Sequence, residues 1–122
     1  MRVHHVAMRS ADLERLEAFY TGILGFAVVA GHGAPDGSVW LDAGAAVLML
    51  ERADEGEPGV MPGTMDLVAF AMGAQTKEAW RQRLARGGIR VEAETAYTLY
   101  FRDPDGRRVA VSDYPLPLAP RG

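Results

Sequence analysis

Three histidines are the side chains of this chain best suited to proton transfer or metal binding. His4 and His5 are neighbours in a stretch typical of a strand, so their side chains are expected to point to opposite faces. An imidazole can act as a general base or hydrogen-bond donor near neutral pH, which makes His5 a candidate site residue. The plainer interpretation of His5 is a histidine satisfied by a neighbour in a pocket wall. His32 lies among glycines, and this setting predicts a solvated loop position.

Other common catalytic signatures are missing from the sequence. Without cysteine there can be no disulfide, thiolate ligand or cysteine nucleophile. The sequence also contains no phosphate loop, serine elbow or zinc-protease helix. The run Asp103-Pro104-Asp105-Gly106 combines residues that begin and end turns, which predicts a structural turn and not a catalytic aspartate pair.

Composition is typical of one small globular domain. The 122 residues are 48% hydrophobic and 24% charged, and the net charge is -3. A mildly acidic chain without a basic run is not expected to bind nucleic acid. No apolar stretch has the length of a membrane span, and the first residues are typical of a strand and not of a signal peptide. We therefore predict a cytoplasmic protein with neither nucleic-acid nor membrane partners.

Apolar periodicity in the first half predicts a strand, a helix and three further strands. The first strand, Arg2–Arg9, carries apolar residues on both faces and is predicted to be buried on both sides. Ser10 and Asp12 are helix caps. The helix that follows them is amphipathic, with its apolar residues at Leu13, Leu16, Phe19, Tyr20 and Ile23. The further strands are predicted at residues 26–30, 39–42 and 46–51, the last two in a tight hairpin.

The second half repeats this order after an acidic, Gly- and Pro-rich linker of about residues 54–63. Its strands are predicted at 65–72, 89–92, 95–102 and 107–113, with a helix capped by Thr76 and containing Trp80 in its core-facing stripe. Three segments recur about 62 residues later, as in a duplication: His5–Met8 in Leu67–Phe70, Gly25–Val28 in Gly88–Val91, and Val47–Leu50 in Arg108–Val111.

This duplication predicts an α+β fold made of two tandem βαβββ modules, with a cupped mixed sheet and helices outside. We expect a single domain with module one at about 1–53, module two at about 64–114, and a peripheral tail at 115–122. A helix covers one face of each module, and the other face needs a partner. A shared apolar pocket between the modules and a homodimer are therefore both expected. A ferredoxin-like sandwich is the alternative fold.

Several short motifs carry a resemblance to a known family. They are His5-Val6-Ala7-Met8, Asp12-Leu13-Glu14, Phe19-Tyr20, Leu24-Gly25-Phe26 and Arg102-Asp103-Pro104-Asp105-Gly106. In these positions the chain resembles the vicinal oxygen chelate superfamily, which includes glyoxalase I, extradiol dioxygenases, fosfomycin-resistance transferases and bleomycin-binding resistance proteins. The resemblance covers about residues 2 to 114. It implies the fold and leaves the reaction open, because members share the scaffold and differ in site chemistry.

The resemblance also implies four positions at which catalytic members hold a divalent metal ion. In this chain those positions are His5, Met49, Leu67 and Ala110. Catalytic metal ions usually have three protein ligands, and only His5 is a competent one, so no metal is expected. Asp66 is next to a missing ligand but on the wrong face, and a register shift of one residue would bring it in. A divalent metal held by His5 and unrecognised ligands therefore stays a possibility.

The side chains expected on the concave side predict an apolar small-molecule site. Those proposed to bind the ligand are His5, Trp40, Val47, Met49, Leu67, Tyr100, Arg108 and Ala110, with Val3, Ala7 and Ala69 beside them. Asp54, Glu55 and Glu57 are candidates for an acidic wall, although a solvated loop is the simpler interpretation. We expect a domain that binds or sequesters a small apolar or aromatic molecule. The alternative is a lyase, isomerase or dioxygenase that uses a metal, or His5 or Tyr100 as acid or base.

Overall fold

The chain forms two compact units in a computed structural model that describes residues 1–33 and 37–116. The first unit comprises residues 1–64 and 103–107, and the second comprises residues 65–102 and the segment that begins at Arg108. Residues 34–36, which follow the predicted loop position of His32, and part of the predicted tail at 115–122 lie outside the described residues.

Both units contain a four-stranded mixed sheet with the same strand order. The strands are β1 (His5–Ser10), β2 (Ala27–Val28), β3 (Ser38–Asp42), β4 (Val47–Arg52), β5 (Leu67–Ala71), β6 (Ala93–Glu94), β7 (Thr98–Arg102) and β8 (Arg108–Ser112). In the first unit the order is β1-β4-β3-β2, and in the second it is β5-β8-β7-β6. The outer strand that starts each unit runs parallel to the last strand of that unit, and the other pairs are antiparallel. This confirms the tandem βαβββ prediction, and the ferredoxin-like alternative is wrong.

Pairing registers repeat as the duplication predicts. His5 pairs with Val47 in the first sheet, and Leu67 pairs with Arg108 in the second. These are the same positions that the sequence repeat aligns. Because side chains alternate along a strand, identical registers place equivalent positions of the two units on equivalent faces.

One face of each sheet is covered by the helix of its own unit. The first unit has α1 (Leu13–Glu17) and a π-helix (Ala18–Ile23), and the second has α2 (Lys77–Arg86). The side chains buried on these faces and on the helices are Met8, Leu13, Leu16, Phe19, Tyr20, Val39, Leu41, Leu48 and Leu50 in the first unit, and Trp80, Leu84, Leu99, Phe101, Val109 and Val111 in the second. Trp80 is a core residue as predicted, and its indole N–H donates to the carbonyl of Met72 at 2.9 Å.

The first strand is buried on one face and not on both. Met8 and Ser10 are buried on the helix side, whereas His5, Ala7 and Arg9 on the opposite side are exposed. The prediction of burial on both sides is therefore wrong. Apolar composition alone did not separate the two faces, because alanine is compatible with either environment.

The first helix begins as predicted and then widens. The Asp12 carboxylate accepts a hydrogen bond from the backbone N–H of Arg15 at 3.2 Å, and the Ser10 hydroxyl accepts from that of Asp12 at 3.0 Å. Beyond α1, the Thr21 hydroxyl donates to the carbonyl of Glu17 at 2.7 Å, within the change to π-helical hydrogen bonding. The wider turn still buries both Phe19 and Tyr20.

The short strand predicted at residues 89–92 is misplaced, since β6 covers Ala93–Glu94. The N–H of Ile89 donates to the carbonyl of Leu84 at 2.9 Å, which closes the C-terminus of α2. Gly88 supplies the positive φ of 74° that this helix ending requires. Ile89 thus belongs to the helix cap, and the strand starts later than the repeat suggests.

Candidate ligand-binding faces of the sheets

The open face of the first sheet collects the predicted site residues of that unit in one continuous patch. Ala7, Met49 and Trp40 form one row across β1, β4 and β3. His5 and Val47 form the next row, which ends at Asp42. Trp40, Val47 and Met49 are each half-buried, so the patch is apolar and partly accessible.

A cavity of about 390 Å³ adjoins this patch, and its volume is in the range of small-molecule sites. The residues that line it are Arg2, His4, Val29, Asp42, Gly44, Ala45, Ala46 and Val47. Sequence reasoning identified only Val47 among them. The small residues Gly44, Ala45 and Ala46 of the β3–β4 hairpin could have indicated the cavity from sequence, because longer side chains would fill that space.

His4 and His5 are hydrogen-bonded to each other. Their Nδ1 atoms are 2.9 Å apart, so one ring must donate while the other accepts. His4 lines the cavity, and His5 belongs to the open face by its pairing with Val47. The adjacent histidines therefore connect these two surfaces of the first unit.

A second aromatic ring, the imidazole of His32, stacks on the indole of Trp40. The indole N–H donates to the Ser38 hydroxyl at 3.2 Å, and the imidazole of His32 stacks on the indole with ring centroids 3.9 Å apart. The rings are nearly parallel, with an angle of 5° between their planes. The prediction that His32 is solvated is therefore incomplete, because the residue is exposed but its ring is held in a stack.

The third row of the open face is an ion-pair cluster around Arg9. Its guanidinium binds the Glu57 carboxylate through two contacts of 2.8 Å, and it lies 3.5 Å from Glu51 and 3.6 Å from Asp54. The hydrogen bonds from Arg9 lower the pKa of Glu57 to about 2. Glu57 is therefore neither a free acidic wall nor a solvated loop residue, whereas Glu55 is exposed.

The open face of the second sheet has a different character. Leu67 and Arg108 are paired in one row, and Ala110 and Tyr100 in the next. The Arg108 guanidinium lies 4.3 Å from the centre of the Tyr100 ring and donates to Glu92 at 3.0 Å. Ala110 is fully buried and offers no accessible surface, whereas Leu67 is 38% exposed.

Glu92 is a site-face residue that sequence reasoning missed. Its carboxylate lies 3.0 Å from both Arg102 and Arg108, and hydrogen bonds from Arg108 and Arg102 lower its pKa. The backbone N–H of Glu92 donates to the carbonyl of Tyr100, which brings the carboxylate to the strand edge. No local sequence pattern predicts that Glu92 pairs with these arginines, because the pairing depends on a contact between strands.

The four metal positions implied by the resemblance do not hold a competent donor set. The first unit supplies the imidazole of His5 and the thioether of Met49, and the second supplies the hydrocarbon side chains of Leu67 and Ala110. Pairing of Leu67 with Arg108 leaves Asp66 on the other face by alternation. Within residues 1–33 and 37–116, no three His, Cys, Asp or Glu side chains form a group that could hold an ion. These residues therefore do not fit a divalent metal centre.

The Asp-Pro-Asp-Gly turn is a structural element of the first unit. The buried Asp103 carboxylate accepts from the hydroxyl of Tyr20 at 2.9 Å, from the guanidinium of Arg107, and from the backbone N–H groups of Asp105 and Arg107. Burial, followed by the charge of Asp103, raises the pKa of Tyr20. Asp103 is thus fully engaged in holding the turn.

A family assignment follows from the whole chain. Residues 2–111 match the model of the Glyoxalase/Bleomycin resistance protein/Dioxygenase superfamily, and the protein belongs to this family. No curated protein matches the sequence. In the described residues, no helix is both long and apolar enough to cross a bilayer.

Solved structures share the fold at low sequence identity. A lactoylglutathione lyase from Agrobacterium tumefaciens is 27% identical, with a TM-score of 0.64 and coverage of 91% of this chain and 92% of that one. The fosfomycin resistance protein FosX from Listeria monocytogenes is 15% identical, with a TM-score of 0.73 and coverage of 93% and 90%. A glyoxalase/dioxygenase from Nostoc punctiforme is 20% identical, with a TM-score of 0.71 and coverage of 90% and 88%.

Proposed function

We propose that this protein binds or sequesters a small, mostly apolar or aromatic molecule without a divalent metal ion. The observation that carries the proposal is the chemistry of the four positions at which the resemblance implies metal ligands. His5 and Met49 supply an imidazole and a thioether in the first unit, and Leu67 and Ala110 supply hydrocarbon side chains in the second. Met49 and Leu67 offer accessible apolar surface to a ligand, and the four positions together lack the donors that a Lewis-acid mechanism needs.

The open face of the first sheet supports this proposal with a shaped site. The half-buried patch of Trp40, Val47 and Met49 adjoins a cavity of about 390 Å³, and both lie beside the hydrogen-bonded pair of His4 and His5. Apolar surface supplies most of the affinity for a small ligand, and a few polar groups orient it. In the second unit, Leu67, Tyr100 and Arg108 are the proposed ligand contacts.

The test is a ligand titration of protein carrying labelled methionine methyl groups. Met49 lies on the open face, whereas Met8 is buried on the helix side and serves as an internal control. We expect small aromatic compounds to shift the Met49 signal and leave Met8 unchanged, and to raise the melting temperature. The proposal is contradicted if a varied panel of aromatic compounds changes neither the Met49 signal nor the melting temperature.

Catalysis is the second candidate function. It is favoured by the exposed imidazole of His5, hydrogen-bonded at 2.9 Å to His4, because such a pair can pass a proton between its Nδ1 atoms. The structural likeness to a lactoylglutathione lyase at 27% identity also supports an enzyme of the lyase type. Cleavage of lactoylglutathione that is lost in His5→Ala would establish this function in place of simple binding.

We also propose a cytoplasmic homodimer. Large apolar side chains such as Leu67, Val28 and Tyr97 are exposed in the isolated chain, and pairing of two chains would remove such surface from water. Sedimentation velocity should show a species of twice the mass of 13.2 kDa, and a purely monomeric protein at high concentration contradicts the dimer.

A further inference from the structure

The stack of His32 on Trp40 is an aromatic contact at the edge of the proposed binding face. Its centroid distance of 3.9 Å and interplanar angle of 5° are those of two flat rings in direct face contact. One face of an otherwise half-buried indole is therefore covered by a side chain from a loop and not by the core.

The backbone of His32 is fixed by the sheet, while its side chain is not. The carbonyl of His32 accepts from the N–H of Trp40 at 3.0 Å, and its N–H donates to the carbonyl of Val29 at 3.0 Å. Among the described residues, the imidazole itself makes no hydrogen bond or ion pair. Rotation of the side chain away from the indole would therefore break the stack and leave the backbone pairing intact.

Trp40 is central to the first unit's proposed site. It pairs directly with Met49, and two residues further along β3 is the cavity-lining Asp42. The N–H of Val29, another cavity residue, donates to the carbonyl of Trp40 at 2.8 Å. Trp40 is therefore joined by strand pairing both to Met49 of the apolar row and to Val29, which lines the cavity.

We propose that His32 occupies the position over Trp40 that a planar aromatic ligand takes when it binds, so that the ligand displaces the imidazole. This inference rests on the proposed binding function and specifies its ligand class. A flat aromatic ring can replace the imidazole at the same stacking distance, whereas a saturated ring of similar size is too thick to do so and has no π-system to stack. His32 thus acts as an internal competitor that lowers the affinity for aromatic ligands.

The test compares quinoline with decahydro-2-naphthol, two neutral bicyclic molecules of similar size of which only quinoline is planar and aromatic. The chain has two tryptophans, so the indole N–H signal of Trp40 can be followed by NMR beside that of Trp80. We expect quinoline to shift the Trp40 signal, to bind His32→Ala about 2- to 10-fold more tightly than the wild type, and to lose binding in Trp40→Leu. Decahydro-2-naphthol should bind more weakly than quinoline, with no gain in affinity in His32→Ala.

Tyr97→Ala is the matched control, because it also removes an exposed ring from an aromatic pair, here with Tyr114. It should leave quinoline affinity unchanged. The displacement proposal is overturned if His32→Ala binds quinoline no more tightly than the wild type does. It is also overturned if quinoline shifts the Met49 methyl signal and leaves the Trp40 indole signal unchanged. In either case the proposed binding function still stands. Absence of quinoline binding by both wild type and His32→Ala, with no other aromatic compound bound, overturns the binding function and this inference together.

Discussion

The helix-covered faces of the two sheets are alike, and their open faces are not. Both covered faces are built from aliphatic and aromatic side chains in the same strand order and register. The open face of the first sheet has a histidine pair, a stacked tryptophan and an adjoining cavity. That of the second has an arginine packed on a tyrosine and held by a glutamate. Packing constrains one face of each duplicated sheet and leaves the other free to change its chemistry.

The largest expected effect concerns a polar cluster that distinguishes the first unit. Replacement of Asp103 by Ala removes the acceptor of the Tyr20 hydroxyl and leaves the Arg107 guanidinium without its closest carboxylate. Because the cluster is buried, we expect a loss of about 3 kcal/mol in the free energy of unfolding, measured by chemical denaturation. Asp105→Ala is the control in the same turn, and its Oδ2 atom has no hydrogen-bond partner among the described residues. Similar losses in both variants would mean that the cluster contributes no specific stability.

Two consecutive residues of one strand test the contrast between the covered and the open face. Leu48 and Met49 are consecutive in β4, and Leu48 is 1% exposed whereas Met49 is half-buried on the open face. Leu48→Ala should cost about 3 kcal/mol through lost burial and a cavity, and Met49→Ala about 1 kcal/mol or less. Equal destabilisation by the two substitutions would show that the open face is part of the packed core, and the distinction between the faces would fail.

The smallest expected effect is a dependence of the free energy of unfolding on pH, to which one ion pair in each unit contributes. Bidentate hydrogen bonds from Arg9 lower the pKa of Glu57 to about 2, and those from Arg81 lower the pKa of Glu94 to about 2. Since the folded-state values lie below the ordinary value of 4.5, the stabilisation is present above that value and is lost as the pH falls towards 2.

Carboxyl NMR titration of the folded protein measures these values directly. Arg9→Gln should raise the pKa of Glu57 and leave that of Glu94 unchanged, and Arg81→Gln should do the reverse. The exposed positions of both pairs limit the change in stability to a small one. A Glu57 titration that does not respond to Arg9→Gln would show that this ion pair is absent in solution.

The covered faces were predictable from sequence because apolar periodicity and strand register determine each other. The stripe of Leu13, Leu16, Phe19 and Tyr20 identified the helix, and the repeat identified two modules with the same order of elements. The open faces were less predictable, since their contacts join residues that no local pattern relates. The ion pair of Arg9 with Glu57 spans 48 residues, and the stack of His32 on Trp40 depends on a loop that composition describes only as solvated. The widening to a π-helix at Ala18 likewise has no periodic signature.

Elemental analysis of the purified protein tests the central claim most directly. Wild type and His5→Ala should be purified from cells supplied with Mn, Fe, Ni and Zn, then compared for metal content and for melting temperature with each ion added. Because the inherited positions carry one competent donor, we predict far less than one ion per chain, the same content in both proteins, and no ion-dependent stabilisation. About one ion per chain in the wild type, lost in His5→Ala, would contradict the account and identify this protein as a metal-dependent member of its family.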